Sequence, residues 1–199
     1  MSKTEQSRKR YNKIASNYDN THDGIVTRPM KQMLINAVEV QSGQAVLDVA
    51  CGTGDLIVAI SKKANIKAYG IDIAEKMINV ASESNRSISF KVAPAYPLQF
   101  DSDSMDIITV SAAFHHFEEP QKFADECKRV LRTGGKVYIG EFNIPSIARV
   151  LMNIFAPIVR TGDVKIYSKT ELAAFFIKAG LITKSVLNSG SLMVMVFEK

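Results

Sequence analysis

The run Ala45-Val46-Leu47-Asp48-Val49-Ala50-Cys51-Gly52-Thr53-Gly54 constrains this chain more than any other stretch. Ala45 to Val49 is short and apolar apart from Asp48, the pattern of a buried parallel strand carrying one carboxylate at its C-terminal tip. Gly52 and Gly54 remove side chains where the backbone must turn sharply, and they bare the first amides of the helix that follows. That helix reads as Asp55 to Ala64, with Leu56, Ile57, Ala59 and Ile60 toward the sheet and Asp55 favouring its dipole.

Three nucleotide motifs compete for such a turn. A phosphate-cradling P-loop needs a Gly-Lys-Ser/Thr ending, which is absent. The dinucleotide fingerprint needs a third glycine where this chain has Ile57, which weighs against a nicotinamide-dependent oxidoreductase. An acid before a Gly-x-Gly turn suits a ligand with positive charge, and S-adenosylmethionine is such a ligand. Ile66 to Ile73 then reads as the next strand, ending in Asp72, where a carboxylate can take both hydroxyls of a ribose.

With VLDVACGTG, GIDIAEKMI, SMDIITVSAAFHHF and RVLRTGGKVYIGEF in place, the chain resembles the class I S-adenosylmethionine-dependent methyltransferases over roughly residues 10 to 199. The likeness is greatest to the small-molecule branch that includes the ubiquinone/menaquinone biosynthesis C-methyltransferases. The resemblance implies a Rossmann-like, doubly wound, seven-stranded α/β sheet, mostly parallel with an antiparallel C-terminal strand. It implies a single domain over residues 1–199, with a helical cap at 1–40 and an acceptor lid at 143–167. It also implies a cofactor pocket drawn from Tyr18, Asp48, Ala50, Gly52, Gly54, Asp72, Ile73, Met77, Ala93, Pro94, Ala95 and Ser111.

At several of these positions a plainer reading stands beside the functional one. Tyr18, and Tyr11 less directly, either lie over the cofactor's methionine end or pack the N-terminal helix onto the core. Ile73 and Met77 either flank an adenine or simply fill the core. Pro94 stands where relatives carry an aspartate that accepts from the adenine amino group, a bond worth roughly 0.5 to 1.5 kcal/mol; Tyr96 is placed to cover the ring instead. His115 and His116 follow the fourth strand (Ile107 to Ser111), at the end of the sheet where ligands lie, and are acid/base candidates because imidazole titrates near neutrality. A helix-start or core role is the plainer reading of both. Metal is not expected: no ligand spacing accompanies the pair, and neighbouring residues tend to point apart.

The chain has 199 residues, 46% of them hydrophobic, enough for one substantial core but not two. Its net charge of +5 is concentrated in the N-terminal arm, where Lys3, Arg8, Lys9, Arg10 and Lys13 face only Glu5. The remainder is nearly neutral, so no nucleic-acid groove is expected. Cys51 and Cys127 have no paired spacing, and no apolar run reaches membrane-spanning length, which together point to a soluble cytoplasmic protein with reduced thiols.

In the rest of the chain, Arg28-Pro29 reads as the opening of a helix to Val40, and Ala74 to Ser84 as another. Ser87 to Ala93 reads as the third strand. A helix starts at Glu118-Glu119-Pro120 and ends at Gly134-Gly135, ahead of a fifth strand over Lys136 to Phe142. Ile147, Leu151, Ile154 and Ile158 form a helical apolar stripe that serves either as an acceptor lid or as the face of a homodimer. Ser168 caps another helix, and Leu181 to Leu187 and Leu192 to Phe197 form a terminal hairpin. The expected partner is a small apolar or aromatic acceptor, methylated by in-line displacement; a protein that holds the cofactor without turnover is the alternative.

Overall fold

The computed structural model describes residues 1–155 and 162–199. Its centre is β1 (Ala45–Val49), buried at every position because both of its faces are covered. Alternate side chains serve alternate faces: Leu47 and Val49 join the layer around Phe114, Phe123 and Phe176, while Val46 joins Met30, Leu34 and Ile57 on the other side. The sheet is seven-stranded in the order β3-β2-β1-β4-β5-β7-β6. Parallel pairing joins β3 (Ser89–Val92), β2 (Lys67–Asp72), β1, β4 (Met105–Ser111) and β5 (Leu131–Phe142). β7 (Leu192–Glu198) runs antiparallel to both β5 and β6 (Ile182–Ser189). This is the expected doubly wound sheet with its C-terminal hairpin.

Helices cover both faces. α2 (His22–Ala37) and α3 (Asp55–Ser61) close one; α5 (Pro120–Val130) and α7 (Lys169–Lys178) close the other. α7 begins in a capping box in which Ser168 accepts from the Glu171 backbone N–H while the Glu171 carboxylate accepts from that of Ser168. α1 (Lys3–Ile14) and α4 (Glu75–Ser84) meet at the C-terminal ends of β1 and β2, and α6 (Ser146–Phe155) follows β5. Of the expected lid stripe, Ile158 lies outside the described residues, as do Pro157 and Arg160. Among the described residues no helix is long and apolar enough to cross a membrane.

Two boundaries differ from the sequence reading. α2 starts at His22 rather than Pro29, because the Thr21 hydroxyl accepts from Gly24 N–H and caps the helix about two turns earlier. Pro29 is therefore inside the helix, and the buried stripe is Met30, Leu34 and Val38. α5 ends at Val130: Leu131 turns to extended backbone and buries its side chain completely. Gly134 and Gly135 consequently sit in a wide bulge of β5, between the Leu131–Met105 and Lys136–Ile107 pairs, instead of capping a helix.

Candidate active site

Beyond the tips of β1 and β4 the backbone is forced into unusual conformations. Ala50 (φ 56), Gly52 (φ 54) and Ala112 (φ 50) are all left-handed, which costs a residue with a Cβ about 1 kcal/mol or more. The turn is held by Cys51 N–H donating to Ile71 O at 3.0 Å and Gly54 N–H to Cys51 O at 2.9 Å. A Cβ on Gly52 would meet nothing within 4 Å, so its missing side chain leaves open space above the turn. Gly54 differs: a Cβ there would come 2.7 Å from the Phe90 ring. Its glycine serves close packing beneath the turn, and it does not line the cavity.

Asp72 closes β2 with both carboxylate oxygens engaged, accepting from Gly52 N–H at 3.0 Å and Ala74 N–H at 2.8 Å. Each oxygen keeps a free lone-pair direction. Burial raises the Asp72 pKa, against the backbone N–H groups that favour its charged form. Asp48 is placed differently from the sequence expectation. It stands one residue before the tip, on the Val46 side of the strand, where Thr109 Oγ1 donates to it at 2.7 Å beneath the turn. Enclosure pushes its carboxyl up to about 7, and it does not line the cavity either.

These tips floor a cavity of about 350 Å³. Tyr18, Ala50, Gly52, Asp72, Ile73, Met77, Ala93, Pro94, Ala95, Ser111 and His116 line it, together with Tyr11 and Tyr96. Met77 is only 1% exposed and also packs with Ala15 and Ala74, so it is wall and core at once. The Ser111 hydroxyl is buried and makes no hydrogen bond. Pro94 brings no acceptor to its part of the wall; the Tyr96 hydroxyl nearby accepts from Glu119 N–H at 2.9 Å.

The roof is α1, and its Thr4 and Ser7 are wall residues that the sequence did not mark. The basic arm is thus a docked helix. Glu118 holds its first turn, accepting from Thr4 Oγ1 at 2.6 Å and Lys3 N–H at 2.9 Å. These contacts bring together residues over a hundred positions apart, so no local spacing announces them. Further along the helix, Asn12 Oδ1 accepts from Lys76 N–H at 2.8 Å and so caps α4. Tyr11 OH lies 3.0 Å from His116 Nε2.

The two histidines overturn the expectation that neighbours point apart. The tight turn Phe114–His116 brings their ring centroids to 4.2 Å. His115 lies behind the wall, its Nδ1 3.0 Å from both oxygens of Glu141. Burial opposes its charged form, but the Glu141 carboxylate prevails and raises its pKa. His116 alone of the pair reaches the cavity; burial first, then the neighbouring His115, lower its pKa to about 3 and keep it neutral. Tyr11, also buried, has its hydroxyl pKa raised.

A sheet in this order, with a left-handed glycine turn after β1 and an acid closing β2, defines a Rossmann-like nucleoside-binding fold. The methyltransferase domain family matches residues 47–139. The chain is 31% identical over 156 residues to the demethylmenaquinone methyltransferase of Thermotoga maritima, covering 76% of this chain and 68% of that one. It is 31% identical over 183 residues to the demethylmenaquinone methyltransferase of Bacteroides fragilis, covering 86% and 75%. Among solved structures, the YcgJ protein of Bacillus subtilis superposes with a TM-score of 0.72 at 26% identity, over 80% of this chain and 70% of that one.

The chain belongs to the class I S-adenosylmethionine-dependent methyltransferases, in the likeness of the ubiquinone/menaquinone C-methyltransferases. Its cofactor is S-adenosylmethionine, and it transfers methyl to a small molecule.

Proposed function

We propose that the cofactor lies in the cavity over the β1, β2 and β4 tips and that the acceptor is a small aromatic molecule of the hydroquinone or phenol class. The observation that carries the placement is Asp72, an acid of the cavity wall at the β2 tip whose orientation the Gly52 and Ala74 amides fix. Its remaining acceptor capacity suits the ribose hydroxyls. Gly52 leaves room for the amino-acid tail above the turn, Ala50 shapes that turn, and the unpartnered Ser111 hydroxyl supplies a donor to it. Ile73 and Met77 flank the base, with Ala93, Pro94 and Ala95 along its edge and Tyr18 over the methionine end. Asp48 and Gly54 act from beneath, supporting the turn.

When bound, S-adenosylmethionine supplies an activated methyl on a sulfonium that is already a good leaving group. The protein's own task is to hold the acceptor in line and exclude water, which supplies as much as ~7 to 11 kcal/mol. His116, with Tyr11 on its Nε2, is the imidazole in the wall and the acid/base candidate where the acceptor must lose a proton, but burial makes it a weak base, so holding the acceptor in line is the larger contribution. His115, tethered by Glu141, positions it. The apolar acceptor is supported by a largely apolar wall and by the names of the relatives. Of the expected lid at 143–167, α6 is described, and in a single domain spanning 1–199 its exposed apolar face serves acceptor entry or a homodimer. Both cysteines are free and buried, which supports a reducing, cytoplasmic setting.

Calorimetry on the full chain with S-adenosylmethionine, followed by a methyl-transfer assay with a naphthohydroquinone, tests the reading. Binding lost in Asp72→Ala, with the fold intact by circular dichroism, is the expected result. Undiminished affinity in that variant would move the cofactor elsewhere.

A further inference from the structure

Next to the wall, Asp163 faces both histidines. His116 Nδ1 lies 3.2 Å from Asp163 Oδ1, and His115 Nε2 lies 3.6 Å from the same atom. One ligand atom from each of the three side chains falls within 4.8 Å of the others. His116 Nδ1 is buried beside Asp163 and makes no hydrogen bond among the described residues. The opposite nitrogens are both occupied by oxygens: His115 Nδ1 by Glu141 at 3.0 Å, and His116 Nε2 by Tyr11 OH at 3.0 Å. Each ring can thus donate its N–H outward, to Glu141 or Tyr11, and turn a lone pair inward.

We infer that His115 Nε2, His116 Nδ1 and an Asp163 oxygen form a binding site for a divalent first-row transition ion, zinc being the best match. Metal–ligand distances of about 2.0 to 2.1 Å in a tetrahedral shell hold ligand atoms about 3.3 to 3.4 Å apart. The observed 3.2 and 3.6 Å bracket that separation. Two imidazoles and one carboxylate suit zinc, whereas magnesium and calcium prefer oxygen shells. Three protein ligands leave a fourth position for water or for an oxygen of a molecule in the adjoining cavity. The site is prepared by the backbone, because Val164 N–H donates to His115 O at 2.8 Å and so delivers Asp163 to the pair. The Asp163 side chain, 32% exposed, offers the route in.

Equilibrium dialysis of the metal-stripped full chain against Zn²⁺, with Co²⁺ replacement followed by visible absorption, tests the site. One equivalent and the intense bands of four-coordinate cobalt are expected. Glu141→Gln, which weakens the support of His115, weakens binding by about 10 to 100-fold. Asp163→Asn and His116→Gln remove the cobalt bands, and His22→Gln on the surface leaves them unchanged. Should a buried histidine variant fail to fold, Asp163→Asn decides, since that side chain is partly exposed. No stoichiometric zinc at about 10 µM free metal, or zinc held equally well by Asp163→Asn, would overturn the inference and leave the trio a charge network alone.

Discussion

Asp48, one residue short of the β1 tip, and Asp72, which ends β2, face opposite surroundings. Asp72 was legible as the acid that ends the second strand, and the structure sets it in the cavity wall. Asp48 was misplaced by one residue of strand period: its side chain goes to Thr109 under the turn. Its carboxyl pKa rises from 3.8 to about 7, so the native state keeps a proton that the unfolded chain has lost. Stability must therefore fall as pH rises through that window, by about 2 kcal/mol between about pH 5.5 and 8. Asp48→Asn, which still accepts from Thr109, should flatten that slope in urea titrations at both pH values. For Asp72→Asn, one acceptor is lost, and calorimetry should show S-adenosylmethionine binding weakened about 10 to 100-fold with the fold unchanged. The histidine pair was misjudged because side-chain divergence is a rule of regular strands and helices, and residues 114–116 form a tighter turn.

Most elements followed from hydrophobic period, and the errors lay at their ends. The Thr21 cap of α2 carries a signal in Thr21-His22-Asp23-Gly24, but Pro29 is the louder one and reads as a start. The β5 bulge was hidden because glycine after an amphipathic helix usually means a cap. α1 was legible as a helix, yet not as a roof, since its anchors are distant in sequence. Burial opposes charge on Glu118 only weakly, while the Thr4 hydroxyl, the leading cause, lowers its pKa and keeps it charged as a cap. Glu118→Ala should release the first turn at a cost of about 1 to 2 kcal/mol, raising amide exchange in residues 3–14 roughly tenfold or more while the sheet stays protected.

The sheet order of the whole molecule was readable because alternating strands and helices leave few right-handed solutions. What the acceptor meets was not, because α6 presents its apolar residues outward: Ile147 is 81% exposed and Ile154 59%. Ile147→Glu removes no internal packing, so the melting temperature should hold. If α6 is the lid, KM for a naphthohydroquinone rises about 5 to 10-fold, the equivalent of roughly 1 kcal/mol of apolar contact. Dissociation of a dimer in the ultracentrifuge with KM unaltered would assign the face to self-association. The clasped roof has one more effect. With α1 fastened at Thr4, Asn12 and Tyr11 to three separate parts of the molecule, a cofactor seated as proposed lies under a clasped helix. Should spent cofactor leave only when that clasp opens, the first round of methylation would outrun later ones in a rapid-quench experiment, and Glu118→Ala would shrink the difference.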